Sequence, residues 1–140
     1  MSGKAFLDTN IFVYGYDERD PIKQSIAEGL IRSLAIEGEA VISYQVIQEF
    51  FNIVLLKIPQ KMPHAEAQRY LDVTFRPLHI VPPSATLISE AIRIQERFRL
   101  SWYDSLIVSA AQQGGCATLY SEDLQDGQQF GIVKVRNPFA

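Results

Sequence analysis

Short apolar runs alternate along the chain with longer segments in which apolar residues recur every three or four positions. The short runs predict five strands, at residues 4–7, 40–42, 78–81, 116–120 and 132–135. The periodic segments predict helices, at residues 21–37, 46–55, 63–75, 87–98 and 104–113. The chain therefore alternates between predicted strands and predicted helices from end to end.

Two of the predicted helices have a distinct apolar face. Behind the helix start at Asp20-Pro21, apolar residues recur every four positions, at Ile22, Ile26, Leu30 and Leu34. The helix at residues 46–55 has a broader apolar stripe, and Ser43 stands where it can cap that helix. We expect both faces to pack on the core.

Strands that are separated by helices predict parallel pairing, because a parallel crossover needs about a dozen residues or more. These strands lack a clean alternation of apolar and polar residues, which is typical of a sheet covered on both faces. We predict a single domain over residues 1–140, with a three-layer α/β/α sandwich and a central parallel sheet of about five strands. Ligands of such open sheets bind at the carboxyl ends of the strands, where the strand order reverses.

Composition narrows the class of protein. The chain has 140 residues, of which 47% are hydrophobic and 21% charged, which excludes a disordered or collagen-like chain. A single cysteine, Cys116, excludes an internal disulfide and a cysteine-based zinc cage. The net charge of −3 argues against a basic surface over the whole chain, so any nucleic-acid role needs a local patch and a metal.

Hydropathy predicts neither membrane insertion nor export. The longest apolar run covers residues 53–56, far short of the ~20 residues that a membrane span requires. Asp8 follows the start too closely to leave room for the apolar core of a signal peptide. We therefore expect a soluble, cytoplasmic protein.

Four acidic residues stand at positions where this fold places its sites. Asp8 follows the first predicted strand and Asp123 follows the fourth. Asp104 opens a helix, where partial positive charge favours an anion, and Glu49 is the single acid of an apolar helical run. Each has an ordinary alternative: Asp8 as a cap, Asp104 as a first-turn acid, Glu49 as a solvated helix residue and Asp123 as a loop acid.

The combination of these acids has a chemical rationale. Two carboxylates ~4 Å apart repel by about 4 kcal/mol at an effective dielectric near 20, whereas a hard divalent cation makes their convergence favourable. Mg²⁺ and Mn²⁺ prefer such oxygen ligands, and either ion can activate water and neutralise charge at a phosphoryl centre. His64 and His79 lie far apart in the sequence, so a zinc site is disfavoured.

Four stretches resemble the motifs of the PIN domain, the metal-dependent ribonuclease fold of many bacterial and archaeal toxins of toxin–antitoxin systems. They read FLDTNI at residues 6–11, VIQEF at 46–50, WYDSLI at 102–107 and LYSED at 119–123. Their order and spacing cover essentially the whole chain. The closing stretch at residues 137–139 also resembles one branch of VapC-like toxins.

The resemblance implies the fold and the site. It implies the strand order 3-2-1-4-5, and a quartet of acids that binds one or two Mg²⁺ or Mn²⁺ ions and hydrolyses RNA: Asp8, Glu49, Asp104 and Asp123. Thr9, Asn10 and Ser121 would orient these acids by hydrogen bonds, with Ser121 standing where many members have threonine. Asp126 is an open candidate for a fifth acid.

These inferences together predict a metal-dependent endoribonuclease, the toxin of a toxin–antitoxin pair. The resemblance also suggests a homodimer that a small antitoxin neutralises. Two alternatives remain: a non-catalytic PIN-like interaction module, and a haloacid-dehalogenase-like phosphotransferase. The latter needs Asp-x-Asp-x-Thr after the first strand, a pattern that Asn10 and Phe12 break, and Phe12 also breaks an EF-hand pattern.

Two further features bear on substrate contact. Arg93 and Arg97 lie one helical turn apart and either contact substrate phosphates or face solvent. Trp102 and Tyr103 flank Asp104 and could stack on bases, but we expect at least one of them to pack in the core.

Overall fold

The computed structural model describes residues 3–140, which form a central sheet with helices around it. Its strands are β1 (Ala5–Leu7), β2 (Ala40–Ser43), β3 (His79–Val81), β4 (Thr118–Tyr120), β5 (Gln129–Phe130) and β6 (Val133–Arg136). Its helices are α1 (Thr9–Tyr16), α2 (Pro21–Glu37), α3 (Tyr44–Leu56), α4 (His64–Tyr70), α5 (Ala85–Phe98) and α6 (Trp102–Gln113). Helix α4 continues into a π-helical turn at Leu71–Phe75.

The strand order in the sheet is β3-β2-β1-β4-β6-β5. All neighbouring strands are parallel except β5, which pairs antiparallel with β6. The order 3-2-1-4-5 is confirmed, with the predicted fifth strand observed as β6. The predicted number of about five strands is one too low, because β5 is only two residues long and has no apolar run that a sequence pattern could reveal.

The helices form two groups, as expected for three layers. Helix α1 packs on α2 and α3, and α3 packs on α4, whereas α5 packs on α6. From β1 the chain runs through β2 to β3 in one direction across the sheet, and it then crosses back to β4 on the other side of β1. With right-handed crossovers, this change of direction places α1 to α4 on one face of the sheet and α5 and α6 on the other. The direction of winding therefore reverses between β1 and β4.

None of the helices in residues 3–140 has the length and apolar character needed to cross a membrane.

An aromatic cluster fixes α3 against α1. The Phe50 ring of α3 stacks on Tyr70 at 4.6 Å between ring centroids and meets the edges of Phe12 and Phe75 at 6.5 and 5.2 Å. The predicted apolar stripe of α3 is confirmed, since Val46, Phe50 and Val54 are all fully buried. The neighbour of Phe50, Glu49, is thereby held close to the start of α1.

The apolar face predicted for α2 is only partly correct. Leu34 is buried, but Ile22 is 75% exposed and Ile26 is 38% exposed, and Ala27 takes their place in the core. A step of four residues turns a helix by about 40° beyond a full circle, so three such steps move the line around the surface by about 120°. Ala27 and Leu34, seven residues apart, lie almost on one line.

The structure also contains a helix, α1, in a stretch for which the sequence pattern predicted no helix or strand. Ser43 occupies the position before α3 as predicted, yet its buried hydroxyl makes no hydrogen bond within residues 3–140. His79 lies on β3, at the edge of the sheet, and is exposed.

Candidate active site

The carboxyl ends of β1 and β4 bring two distant segments side by side. The two strands pair in parallel with Leu7 opposite Tyr120, and the Asp8 N–H donates a hydrogen bond to the Tyr120 carbonyl at 3.0 Å. Asp8 and Ser121 therefore leave the sheet as neighbours. This is the point at which the strand order reverses, where open α/β sheets bind their ligands.

Asp8 is buried at this point, with 4% of its surface exposed. Its Oδ1 accepts a hydrogen bond from the Thr9 N–H at 2.7 Å, so it caps α1 while it also faces the neighbouring acids. Its Oδ2 accepts a hydrogen bond from the Ser121 hydroxyl at 2.7 Å. Burial raises the pKa of Asp8 from 3.8 to about 7, against the effect of both hydrogen bonds and with a smaller contribution from the charges of Asp123 and Glu49.

Glu49 is half-buried and held at both of its carboxylate oxygens. The Thr9 hydroxyl donates to Oε1 at 2.6 Å, and the Gln45 side-chain amide donates to Oε2 at 3.3 Å. The same amide also donates to the Tyr103 carbonyl at 3.2 Å, at the start of α6. These bonds connect α1, α3 and α6 around Glu49.

Asp104 and Asp123 line the same cleft as Asp8 and Glu49. The Ser101 hydroxyl caps α6 by accepting a hydrogen bond from the Asp104 N–H at 3.1 Å, which places Asp104 in the first turn of the helix. Burial raises the pKa of Asp104, and the charges of Asp123 and Glu49 add to the effect. The Asp123 N–H donates to the Ser121 hydroxyl at 3.1 Å, so that Ser121 links Asp123 to Asp8.

A cleft of about 580 Å³ is lined by all four acids that the sequence singled out. Within residues 3–140, no three side chains of aspartate, glutamate, histidine or cysteine lie close enough together to enclose a metal ion. Mg²⁺ needs only one or two carboxylates and keeps several waters. Carboxylate oxygen donors such as these fit Mg²⁺ or Mn²⁺, and among residues 3–140 no sulfur or imidazole group lines the cleft, a donor set that does not favour zinc.

Of the three residues expected to orient the acids, two have the expected hydrogen bonds. Thr9 donates to Glu49, and Ser121 donates to Asp8. Asn10 lines the cleft, but its amide is buried and has no hydrogen-bond partner among residues 3–140.

Other residues that the sequence suggested for the site or for substrate contact do not lie where we expected them. Asp126 accepts a hydrogen bond from the Asn137 N–H at 2.9 Å and does not line the cleft. Arg93 forms an exposed ion pair with Glu90 at 3.1 Å on α5, and neither it nor Arg97 lines the cleft. Trp102 and Tyr103 are 39% and 64% exposed, so the expectation that at least one of them packs in the core is wrong.

The structure adds residues that the sequence analysis missed. Gln45 stands four positions before Glu49, a spacing that places both on one helix face and that could have revealed it. At the rim of the cleft, the Tyr14 hydroxyl donates to Glu122 at 2.6 Å and Lys23 forms an ion pair with the same carboxylate. The ring centroids of Phe139 and Tyr14 lie 4.9 Å apart. Tyr14 therefore contacts the chain both before Asp123, at Glu122, and after it, at Phe139.

The fold and the cleft define a class: a doubly wound α/β protein with four acidic side chains along a cleft at its strand-order reversal. A family model for the PIN domain matches residues 5–125, and the chain belongs to this family. This membership excludes the haloacid-dehalogenase-like alternative. No curated protein matches the chain in sequence.

Solved structures share the fold at low sequence identity. A toxin–antitoxin complex from Klebsiella pneumoniae is 20% identical with a TM-score of 0.68, covering 96% of this chain and 98% of the other. FitAB bound to an IR36 DNA fragment is 19% identical with a TM-score of 0.76, covering 97% and 96%. VapC20 from Mycobacterium tuberculosis, a toxin that cleaves the sarcin–ricin loop, is 16% identical with a TM-score of 0.64, covering 86% and 90%.

Proposed function

We propose that the protein is a metal-dependent endoribonuclease whose acids are Asp8, Glu49, Asp104 and Asp123. The observation that carries the proposal is their position along one cleft at the strand-order reversal. Carboxylates that share a cleft repel one another, so the arrangement favours a cation over a purely structural role. An RNA substrate is supported by the similar fold of VapC20, which cleaves the sarcin–ricin loop.

The four acids would hold Mg²⁺ or Mn²⁺. Such a cation, when bound, neutralises charge on a phosphodiester and makes a coordinated water more acidic. Thr9 and Ser121 keep the carboxylates of Glu49 and Asp8 in fixed orientations through their hydroxyl groups. Because Asp8 holds its proton up to about pH 7 in the metal-free protein, cation binding has to displace that proton and strengthens as the pH rises.

We further propose that the protein is the toxin of a toxin–antitoxin pair, acting in the cytoplasm as a homodimer. The similar structure from Klebsiella pneumoniae is a toxin–antitoxin complex, which supports a protein antitoxin as partner. Exposed apolar side chains on α5, Ile88 and Ile92, are 46% and 57% accessible and offer contact area for a second protein chain.

The test is cleavage of single-stranded and structured RNA by the purified protein in Mg²⁺ or Mn²⁺. We expect cleavage that EDTA stops, and we expect Asp8→Asn and Asp104→Asn each to abolish it while circular dichroism shows an intact fold. Asp126→Asn is the matched control, since Asp126 lies outside the cleft and its oxygen can still accept from Asn137. Cleavage by either cleft variant would refute the proposal.

A non-catalytic interaction module is the second candidate. It is favoured by the finding that no three of the acids in residues 3–140 lie close enough to enclose a metal ion. In that case no metal would support cleavage, and Asp8→Asn would leave binding of an antitoxin unchanged.

A further inference from the structure

Helix α3 lines the cleft along much of its length. Gln45, Glu49, Asn52 and Ile53 all line the cleft, and Lys57 follows directly after the last residue of the helix. Their spacing of three or four residues places them on one helix face. Glu49 and Lys57 are eight residues apart, so they lie roughly 12 Å from one another along the helix at 1.5 Å per residue.

The charges around the cleft are uneven. Six acidic residues line it: Asp8, Asp17, Glu49, Asp104, Glu122 and Asp123. Among residues 3–140, the cationic residues that line it are Arg19 and Lys57, and Lys23 at its rim is paired with Glu122. The Arg19 guanidinium donates three hydrogen bonds of 2.6 to 3.0 Å to the Asp17 carboxylate, so its charge is already paired.

Lys57 differs from Arg19 because its charge is available. It is exposed, and within the described part of the chain its ammonium group forms no ion pair or hydrogen bond. A polyanion that enters an acidic cleft needs a positive contact to offset repulsion. Lys57 is positioned to provide that contact at the end of the cleft remote from Glu49.

We propose that Lys57 anchors a backbone phosphate of the RNA substrate, about three to four nucleotides away from the bond that is cleaved. The estimate of distance follows from the separation of roughly 12 Å and a rise of about 3.4 Å per nucleotide in a stacked strand. Asn52 is exposed and lines the cleft between Glu49 and Lys57. The inference rests on the proposed function, since it takes the four acids as the point of cleavage.

An anchor at this distance predicts a dependence on substrate length. A dinucleotide has only the phosphate that is cleaved and does not reach Lys57, whereas a decanucleotide does. An ordinary role of Lys57, as a cation near the carbonyl groups that end α3, would affect stability and not RNA binding. Measurements on short and long RNA therefore separate the two roles.

The experiment compares wild type, Lys57→Ala, Lys57→Arg and Lys134→Ala. Lys134 is a control of equal charge that lies away from the cleft. It is in register with Thr118, the first residue of β4, at the amino ends of the strands, whereas the cleft lies at their carboxyl ends. Fluorescence anisotropy with a labelled decanucleotide in EDTA measures affinity as a function of salt. Chromatography of the products in Mg²⁺ measures kcat/KM for the decanucleotide and for a dinucleotide.

For Lys57→Ala we expect about three- to fivefold weaker binding of the decanucleotide, the effect of one exposed ion pair. The slope of log K against log[salt] should fall by about 0.7, the value for one phosphate contact with a single strand. The dinucleotide should be cleaved as by wild type, Lys57→Arg should restore binding, and Lys134→Ala should change nothing.

An unchanged salt slope, or an equal loss on the dinucleotide and the decanucleotide, would overturn the assignment of Lys57 while leaving the nuclease proposal intact. Binding that depends on Lys57 without any cleavage would uphold the anchor and refute the nuclease. A wild-type protein that neither binds nor cleaves RNA would overturn both.

Discussion

Asp8→Asn should stabilise the metal-free protein at neutral and alkaline pH. Asp8 is buried, and its carboxylate faces the charges of Asp123 and Glu49. Asparagine has the same shape without the charge. Its oxygen can still accept from the Thr9 N–H, and its amide can donate to the Ser121 hydroxyl.

The magnitude follows from the pKa of Asp8, which burial raises from 3.8 to about 7. Between these two values the folded protein keeps a proton that the unfolded chain has released, so stability falls as the pH rises through this window. At 1.36 kcal/mol per pH unit, the full interval corresponds to about 4 kcal/mol. The stability advantage of Asp8→Asn should therefore be near zero at pH 4 and reach about 4 kcal/mol at pH 8.

The assay is urea unfolding followed by circular dichroism, in EDTA, at intervals from pH 4 to pH 8. Asp126→Asn serves as the control for loss of an acid outside the cleft. Adding Mg²⁺ at ten times its dissociation constant should stabilise wild type by about 1.4 kcal/mol, or roughly 3–6 °C in melting temperature. Asp8→Asn should lose most of that gain.

A difference between wild type and Asp8→Asn that stays constant from pH 4 to pH 8 would refute the reasoning, because it would show that Asp8 titrates alike in the folded and unfolded chains. A melting temperature of wild type that does not respond to Mg²⁺ would show instead that the acids do not form a cation site.

Three further predictions concern stability. Ser121→Ala should cost about 1–3 kcal/mol of stability in urea unfolding, because the buried Oδ2 of Asp8 and the Asp123 N–H both lose their hydrogen-bond partner. The hydrogen bond from Ser121 lowers the pKa of Asp8, so its loss should raise that pKa and move the pH window upwards. Gly114→Ala should cost about 1–3 kcal/mol, because the added Cβ would lie 2.9 Å from a methyl group of Val41, and unchanged stability would contradict that packing. Gly29→Ala should instead raise the melting temperature, by about 0.5–1 kcal/mol of stability, because it lies within a helix and its Cβ would meet nothing within 4 Å; a lower melting temperature would be inconsistent with this account.

The sequence pattern was sufficient to predict the alternation of strands and helices and to single out the four acids that line the cleft, whereas the strand order came from the resemblance to the PIN domain. Buried parallel strands are short apolar runs, and helical periodicity separates them, so the alternation of elements is legible from neighbouring residues. Asp8 and Asp123 directly follow strands, and parallel strands end at one edge of the sheet, which makes their proximity predictable once the topology is known. The strand β5 was not predicted, because its two residues are too few to show a hydrophobic pattern.

Tertiary structure decided which side chains meet and which charges remain free. The hydrogen bonds of Ser121 to Asp8 and of Thr9 to Glu49 join residues 113 and 40 positions apart, and only the packing of strands and helices brings those partners together. Arg93 and Lys57 both carry a positive charge, yet Arg93 pairs with Glu90 on α5, whereas Lys57 lines the cleft and has no ion-pair partner among residues 3–140. Local propensity depends on nearby residues, whereas burial, pairing and pKa depend on the whole set of neighbours in space, and that set exists only in the folded chain.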